Sequence, residues 1–284
     1  MKRVLKWLAG TLAVLVLAAL AWIYGASELE LRRAWPVAAE PIPVVTDSAT
    51  VAEGEVIART RGCTGCHGEQ LEGAALFDEP WIARLVPPNL TQVAASTSDA
   101  DLARMIRHGV RPDGRALVAM PSEMFYHLSD ADVAMLIAYI RTRPVVENSL
   151  PGREVRLLGR LGLVLGQYQT SPQLIDHSAA RLGDSPEALT TRRGEYLART
   201  TCPECHGAHL EGTGTSDQPG APSLAGAFGY TEDEFIELVR NEKVKGGRRL
   251  DLMADVLRGR LRYYPDEDLR ALHRFLKDYR PPES

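Results

Sequence analysis

The hydrophobic pattern of the chain begins with a long apolar run. Three basic residues lie within the first six positions, and residues 7–26 contain no charged side chain. A helix of this length rises about 30 Å, which matches a bilayer core, and the basic flank favours the cytoplasmic side. The pattern therefore predicts a transmembrane anchor over 1–30. A cleaved signal peptide is the alternative, since residues 19–21 (Ala-Leu-Ala) resemble a cleavage site, although the apolar run is long for one.

Periodicity is lost after the anchor and returns as helical periodicity near residue 51. Residues 31–50 contain three prolines and predict an extended linker leading away from the membrane. The segment "SDADLARMIRHGV" predicts a helix capped by Ser98 or Asp99. The segment "LSDADVAMLIAYIRTRP" predicts another, capped by Ser129 and ending before Pro144. Its apolar residues recur on one face at Val133, Leu136, Ile137 and Ile140.

The pattern after residue 187 repeats the pattern before residue 147. "GEVIARTRGCTGCHGEQLEG" aligns with "GEYLARTTCPECHGAHLEG" after one deletion, and twelve of nineteen aligned positions are identical. This is a tandem duplication of a ~90-residue unit, so one chemical interpretation must serve both halves. We predict domains at 51–146 and 188–284, joined by a connecting segment, 147–187. Within that segment "GREVRLLGRLGLVLGQ" predicts a buried connecting helix rather than one resting on the membrane surface.

Composition adds one constraint to this pattern. The chain is 45% hydrophobic and 25% charged with a net charge of -4, which is ordinary for a globular protein and gives no sign of a nucleic-acid partner. Aromatic residues make up only 6%. A core of this size is then built mainly from Leu, Val and Ala, and a bound cofactor would supply the missing bulk.

All four cysteines lie in two copies of Cys-x-x-Cys-His. Cys63 and Cys66 precede His67, and Cys202 and Cys205 precede His206. This is the attachment pattern of c-type haem. The two thiols must reach two vinyl groups on one edge of a porphyrin, and one helical turn spans that edge. The next histidine then points at the iron, so the sequence predicts two covalently bound haem c groups.

Three other uses of paired cysteines fit the sequence less well. A zinc site needs four ligands together, but the pairs are about 140 residues apart, each followed by His-Gly. A disulfide within Cys-x-x-Cys closes a very small loop and stabilises little. A thioredoxin-type redox pair would need a βαβ setting, which the pattern does not predict.

Each half resembles a class I cytochrome c domain. The first half carries the resemblance in "CTGCHG…PPNLT…DLARMIRHGVRPDGRALVAMPSEMFYHLSDADVAMLIAYI" and the second in "CPECHG…APSLAGAFGY…LDLMADV…DEDLRALHRFL". The first half is the closer match, in particular to cytochrome subunits of membrane-bound bacterial dehydrogenases for alcohols, aldehydes and sugar acids. Those subunits often carry three haem domains, and this chain has two. The resemblance implies an all-α fold of two tandem class I cytochrome c domains after an N-terminal transmembrane helix.

The resemblance also implies a histidine and a methionine as axial ligands of each iron. In the first half they fall on His67 and Met120, the latter followed by proline; Met124 and Met105 are the rival methionines. Pro88 and Pro222 match the family proline whose carbonyl accepts a hydrogen bond from the proximal histidine. This bond would orient the ring and tune the iron. The alternative is that both prolines are simple turn residues.

For the second iron we predict ligation by His206 and Met253. Met253 is the only methionine after Met135, and it lies 47 residues after His206, comparable with 53 between His67 and Met120. Against this prediction, no proline follows Met253. The apolar spacing of "LDLMADVLRGRL" also suits a buried helix, so a core methionine stays open.

The remaining titratable residues carry weaker signals. We expect surface or helix-face positions for the other histidines, which are His108, His127, His177, His209 and His273. A basic cluster precedes Met120 and consists of Arg104, Arg107, Arg111 and Arg115. We expect a mostly solvated face, with one or two of these arginines paired to haem propionates.

The function that these features predict is electron relay. No nucleophile or acid–base pair is evident, and a membrane-anchored dihaem cytochrome c needs none. We expect a single-pass protein of the bacterial inner membrane with its haem domains in the periplasm. Its partners would be membrane-bound or periplasmic redox proteins: a dehydrogenase, a quinol-oxidising complex or a terminal oxidase. The alternative is a dihaem enzyme, a peroxidase or sulfur-compound oxidoreductase, whose second iron has an open site.

Overall fold

The computed structural model describes residues 1–214, 220–224, 229–247, 250 and 252–280. The chain begins with helix α1 (Lys2–Arg32), whose apolar window has a mean hydropathy of 2.1 and buries none of its residues in the protein. Length and composition suit a membrane span, and a signal sequence near the N-terminus has the same character. The apolar run predicted from the sequence is therefore one uninterrupted helix.

The first half is a set of short helices with well-defined N-terminal caps. They are α2 (Ser48–Thr60), α3 (Cys63–His67), α4 (Leu90–Ser96), α5 (Asp99–His108), α6 (Ser122–Phe125) and α7 (Asp130–Thr142). The Ser98 side chain accepts from the backbone of Asp101, and Ser129 caps α7 in the same way, as predicted. The predicted apolar face of α7 is buried at all four positions.

The second half repeats this arrangement after a connecting region. The connecting region contains helix α8 (Leu157–Val164), and α9 (Pro186–Leu189) spans its end. The helices of the second half are α10 (Arg193–Arg199), α11 (Pro203–His206), α12 (Glu232–Asn241), α13 (Leu252–Gly259) and α14 (Asp266–Asp278). Short 3₁₀ turns lie at Ser171–Leu174, Leu182–Asp184, Lys245–Gly247 and Leu261–Tyr263. The closing helix α14 follows Pro265, which gives it no side-chain cap.

A glycine allows the same helix crossing in each half. Helices α2 and α7 pack together, as do α10 and α14. A Cβ on Gly54 would overlap the carbonyl oxygen of Met135, and one on Gly194 would overlap that of Ala271. The first and last helices of each unit therefore approach more closely than any side chain at that position permits.

A small sheet modifies the all-α expectation. Strands β1 (Phe77–Glu79), β2 (Ala83–Leu85) and β3 (Glu154–Val155) form one antiparallel sheet in that order. The third strand comes from the connecting segment, about 70 residues after the second. The fold is predominantly helical, and the sheet went unpredicted because strands of two or three residues leave no alternation pattern.

The linker and the connecting segment both pack on other parts of the chain. The backbone N–H of Trp35 donates to Gly114 at 2.9 Å and Ile42 is buried, so the linker lies against the first half. Helix α8 was expected to be buried, but only Leu163 of α8 is. It packs instead on the outer end of α1, because Arg160 of α8 forms an ion pair with Glu28 at 3.0 Å.

Two buried tyrosines join the halves into one hydrophobic cluster. The Tyr196 hydroxyl donates to Asp132 at 2.5 Å and accepts from the backbone of Ser129 at 3.1 Å. The hydroxyl of the second tyrosine, Tyr264, accepts a hydrogen bond from the guanidinium of Arg61 in the first half. Each tyrosine therefore crosses from the second half into the first with its hydroxyl satisfied.

Candidate functional site

The two Cys-x-x-Cys-His motifs form the same local structure. Each includes a single helical turn, α3 or α11, followed by a loop with three residues of positive φ. These residues are Gly68, Leu71 and Gly73 (φ 86°, 62° and 82°) in the first half and Gly207, Leu210 and Gly212 (φ 84°, 56° and 95°) in the second. A leucine in the left-handed region is unusual, and both leucines are fully buried, so packing maintains the conformation.

Each motif histidine is oriented by a proline carbonyl. Nδ1 of His67 lies 2.8 Å from the carbonyl oxygen of Pro88, and Nδ1 of His206 lies 2.7 Å from that of Pro222. Both are hydrogen-bond distances with Nδ1–H as donor. Burial lowers the pKa of His67, which the proline carbonyl opposes only in part. With the proton on Nδ1, the neutral ring keeps a free electron pair on Nε2, and this is the form that binds a metal.

No disulfide joins the four cysteines. Burial raises the pKa of Cys63 and of Cys202 to about 12. A nucleophilic redox cysteine shows the opposite shift. Within the described residues, no group of three or more His, Cys, Asp or Glu side chains assembles. The thiols are thus arranged neither as a redox pair nor as part of a shared zinc site.

A cavity opens beside the first motif. Cys63, Cys66 and His67 line one part of it, and Met120 lines another. Most of its remaining wall is apolar and includes Leu85, Leu90, Ile106, Leu117, Phe125 and Leu136. Two thiols for covalent attachment, an imidazole, a thioether and an apolar wall are the donor set and surroundings that haem c requires. The residues present therefore fit this cofactor.

The cavity distinguishes the three methionines considered for the first half. Met120 and Met105 line it, whereas Met124 does not and is only 2% exposed in the hydrophobic core. Met124 is therefore a packing residue. Met105 is on helix α5 beside Leu102 and Ile106, which also line the cavity. Met120 lies in an irregular loop that ends at α6.

The connecting segment fixes the loop that carries Met120. The Ser171 hydroxyl donates to the carbonyl oxygen of Met120 at 2.6 Å, and the Tyr168 hydroxyl donates to that of Val118. The backbone N–H of Ser122 donates to Met120 at 2.8 Å. Sequence reasoning missed Ser171 and Tyr168, because they lie about 50 residues from the loop in a segment without periodicity.

The charged residues at the cavity are not those predicted. They are Arg61, Arg153, Glu204 and Arg260, and none belongs to the cluster before Met120. Arg153 comes from the connecting segment. In the sequence it is only an arginine near an apolar run, which does not indicate a place at the cavity. The expected propionate partners among the clustered arginines are therefore not supported by position.

The clustered arginines have other contacts. Arg107 is buried rather than solvated, because it pairs with Asp130 at 2.7 Å and donates to a backbone carbonyl. Arg104 pairs with Asp101 at 2.5 Å. Arg111 and Arg115 are exposed and lie near the end of α1.

The other histidines do not line the first cavity. His108 and His273 are helix residues with buried side chains: Nδ1 of His108 lies 2.9 Å from that of His177, and Nε2 of His273 lies 2.9 Å from the carbonyl of Tyr230. His127 accepts a hydrogen bond from a backbone N–H at 3.2 Å. His209 is exposed beside the second motif.

Met253 occupies a different setting from Met120. It is the second residue of helix α13 and is partly buried against the hydrophobic cluster. Residues 225–228, 248–249 and 251, which precede it in this half, lie outside the described residues. The helix that the apolar spacing indicated is present, and ligation by Met253 stays a prediction.

One ion pair of the second half lies beside the first motif. Glu204, inside the second Cys-x-x-Cys, pairs with Arg260 at 2.6 Å, and both line the cavity of the first half. The Arg260 guanidinium lies against Gly62, which precedes Cys63. Burial, together with the charge of Glu204, raises the pKa of the Cys66 thiol. The two attachment turns are therefore immediate neighbours.

These features define a class of protein, a helical haem-binding protein of the c type. Comparison with known proteins agrees: residues 51–144 match the cytochrome c family model and form a cytochrome c domain. The chain is 27% identical to the cytochrome c subunit of an alcohol dehydrogenase (quinone) from Gluconobacter oxydans (strain 621H), over 81% of this chain and 55% of the relative.

Two further relatives carry similar names. The fructose dehydrogenase cytochrome subunit of Gluconobacter japonicus is 26% identical over 84% of this chain and 54% of its own length. The gluconate 2-dehydrogenase cytochrome c subunit of Pantoea cypripedii is 26% identical over 81% and 60%. The resemblance inferred from the sequence is thus confirmed. The chain spans somewhat more than half the length of these relatives.

Proposed function

We propose that this chain is a membrane-anchored dihaem cytochrome c that relays single electrons. Residues 51–146 and 188–284 would each hold one haem, attached through Cys63 and Cys66 in the first and through Cys202 and Cys205 in the second. A c-type haem supplies a one-electron Fe(III)/Fe(II) couple when bound. The partner on the donor side would be a dehydrogenase, as the names of the relatives suggest.

The observation that carries this proposal is the contact between the two attachment turns. Glu204 and Arg260 belong to the second half yet line the cavity of the first, with 2.6 Å between their charged atoms. Relay within one chain requires two redox centres whose edges approach closely. The second attachment turn, which contributes Glu204 to the wall of the first cavity, supports this requirement.

Two histidines and two methionines would complete the coordination. His67 and His206 would bind on one side, each oriented by a proline carbonyl, with Met120 and Met253 opposite. Thioether ligation raises the potential relative to two imidazoles, which suits an electron carrier at the oxidising end of a chain. Helix α1 would hold the protein in the inner membrane with the haem domains in the periplasm.

The rival function is catalysis at an open second iron. Catalysis is favoured only if Met253 is not a ligand, because a peroxidase or sulfur-compound oxidoreductase needs an exchangeable coordination position on its iron. The two functions differ in what the reduced protein does. A relay gives its electrons to a redox protein, whereas a peroxidase gives them to hydrogen peroxide and a sulfur-compound oxidoreductase exchanges them with its sulfur substrate.

A reductive titration tests the proposal. The purified, oxidised chain should take up two electrons per chain and pass both to soluble ferricytochrome c, with no turnover of peroxide or thiosulfate. Uptake of one electron contradicts the two-centre relay. Catalytic reduction of hydrogen peroxide by a supplied reductant, or oxidation of thiosulfate coupled to reduction of ferricytochrome c, favours the enzyme instead.

A further inference from the structure

A basic groove of about 610 Å³ lies beside the outer end of α1, and we propose that it binds the anionic phosphodiester headgroup of a membrane phospholipid. Six arginines and two glutamates contribute to its wall: Arg32, Arg111, Arg115, Arg153, Arg156 and Arg160, with Glu28 and Glu154. The volume falls in the range of about 300–1,000 Å³ that small-molecule sites occupy. The inference rests on the membrane anchor of the proposed function.

The groove lies at the depth of the lipid headgroups. Its helical wall is the face of α1 that carries Tyr24, Glu28, Leu31 and Arg32. Because the charge-free run ends at residue 26, the groove begins within about one turn, roughly 5 Å, of the end of that run. Trp81 also lines the groove and is 67% exposed. Tyrosine and tryptophan are enriched at this level of a membrane.

The loop that carries two of the arginines is attached to the chain where it leaves α1. Arg115 pairs with Ala34 in an isolated β-bridge. The backbone N–H of Trp35 donates to Gly114 at 2.9 Å, and that of Arg111 donates to Arg115 at 2.9 Å. The position of Arg111 and Arg115 relative to the helix end is therefore fixed by backbone contacts.

Helix α8 closes the other side of the groove. Arg160 donates to the hydroxyl of Ser27 at 2.9 Å and to the carboxylate of Glu28 at 3.0 Å, and its guanidinium lies 4.9 Å from the ring centroid of Tyr24. This side is thus joined directly to α1. The groove is part of the packed structure rather than a gap between independent segments.

Three of the arginines have donors left for a ligand. Arg32, Arg156 and Arg160 have carboxylates within 3.0 Å. Arg111 and Arg115 reach only Asp113, at 3.8 Å. Among the described residues, no carboxylate lies within 4.0 Å of Arg153. Guanidinium groups match a phosphate with paired N–H donors, so these three define an anion site.

Apolar neighbours favour a lipid over a free phosphate. Ile82 is 46% exposed and Leu158 50% exposed, next to Trp81. The backbone N–H of Leu158 donates to Trp81 at 2.8 Å, and that of Arg156 donates to Ile82 at 2.9 Å, which joins these side chains to the groove. A free phosphate would have no use for an apolar rim, whereas a lipid presents apolar and charged groups together.

Native mass spectrometry of the full-length, haem-loaded chain tests the proposal. The protein in neutral detergent is offered equal amounts of phosphatidylglycerol and phosphatidylcholine. We expect a preference for phosphatidylglycerol of roughly tenfold or more, since each arginine near an anionic surface contributes substantially. The double variant Arg111→Gln/Arg115→Gln should lose about tenfold of this preference. The matched control Arg192→Gln/Arg274→Gln changes two exposed arginines elsewhere and should keep it.

Three results would overturn the headgroup site. They are equal binding of the two lipids, an unchanged preference in the Arg111/Arg115 variant, and loss of the preference in millimolar inorganic phosphate, which would indicate a free-phosphate site. Flotation of the same proteins with neutral phosphatidylcholine vesicles tests the anchor separately. If wild type fails to float, the anchor proposal fails; if all variants float but none prefers the anionic lipid, only the headgroup site does.

Discussion

The two halves of the chain share the local structure of the Cys-x-x-Cys-His motif but differ in what surrounds it. Both motifs share a helical turn, a loop with three positive φ angles and a proline carbonyl 2.7–2.8 Å from the histidine. Met120 lies in a loop fixed by Ser171, whereas Met253 is the second residue of a helix. The repeat thus preserves the local structure of the motif, while the setting of each methionine depends on what packs around it.

The most direct test of the difference between the two halves replaces the two methionines one at a time. We predict that Met120→Ala removes about half of the sulfur-to-iron charge-transfer band of the oxidised protein and that Met253→Ala removes the other half, because each thioether would ligate one iron. Absorption spectra at equal haem content provide the measurement. A Met253→Ala protein with both haems attached and an unchanged band would reject Met253 as a ligand and favour an open second iron.

The helix crossings should respond alike in both halves. Gly54→Ala and Gly194→Ala each place a methyl group into a backbone carbonyl, so each should destabilise by about 1–3 kcal/mol or more, the usual range for overpacking. Thermal unfolding followed by circular dichroism measures this. Gly259→Ala is the control, since no atom lies within 4 Å of its added Cβ. Destabilisation of only one half would show that the crossings are not equivalent.

These crossings also show how far sequence alone reaches. The repeat made Gly54 and Gly194 correspond, and the caps at Ser98 and Ser129 were predictable from local chemistry. Contacts from the connecting segment were not, because Ser171 meets Met120 across about 50 residues with no periodic pattern to indicate it.

The candidate site divides in the same way. The thiols and histidines follow from a short motif with fixed spacing, and the prolines follow from the family resemblance. The charged residues of the cavity do not, since Arg153 and Arg260 arrive from other segments through tertiary packing. The cluster around Arg107 looked solvated by composition, and only the fold shows that this side chain is buried against Asp130.

Replacing Ser171 should have a smaller effect, confined to the loop that carries Met120. Ser171→Ala removes the hydroxyl that donates to Met120, a bond of about 1 kcal/mol. We expect imidazole to displace Met120 at roughly fivefold lower concentration, with the band of the second half unaffected. Imidazole titration of the charge-transfer band measures this. Ser178→Ala, which alters an exposed serine of the same segment, is the control. Equal sensitivity of Ser171→Ala and wild type would show that the serine does not hold the loop.

The smallest predicted effect falls on both halves together. Arg61 is 3% exposed, next to the first motif, and donates to Tyr264 of the second half. Its positive charge disfavours the oxidised iron, so Arg61→Met should lower both midpoint potentials by on the order of 50 mV. Arg61→Lys keeps the positive charge, so both midpoint potentials should stay close to those of wild type. Spectroelectrochemical titration measures the two values. A shift in one potential alone would contradict a position shared between the motifs.

The central claim is one covalent haem in each half, and haem counting of three proteins tests it most directly. Wild type, Cys63→Ala/Cys66→Ala and Cys202→Ala/Cys205→Ala are compared by pyridine haemochrome stoichiometry and by haem-stained denaturing gels. The account predicts two haems per chain in wild type and one in each double variant, because each pair of thiols attaches its own cofactor. A single haem in wild type that survives loss of Cys202 and Cys205 would contradict it.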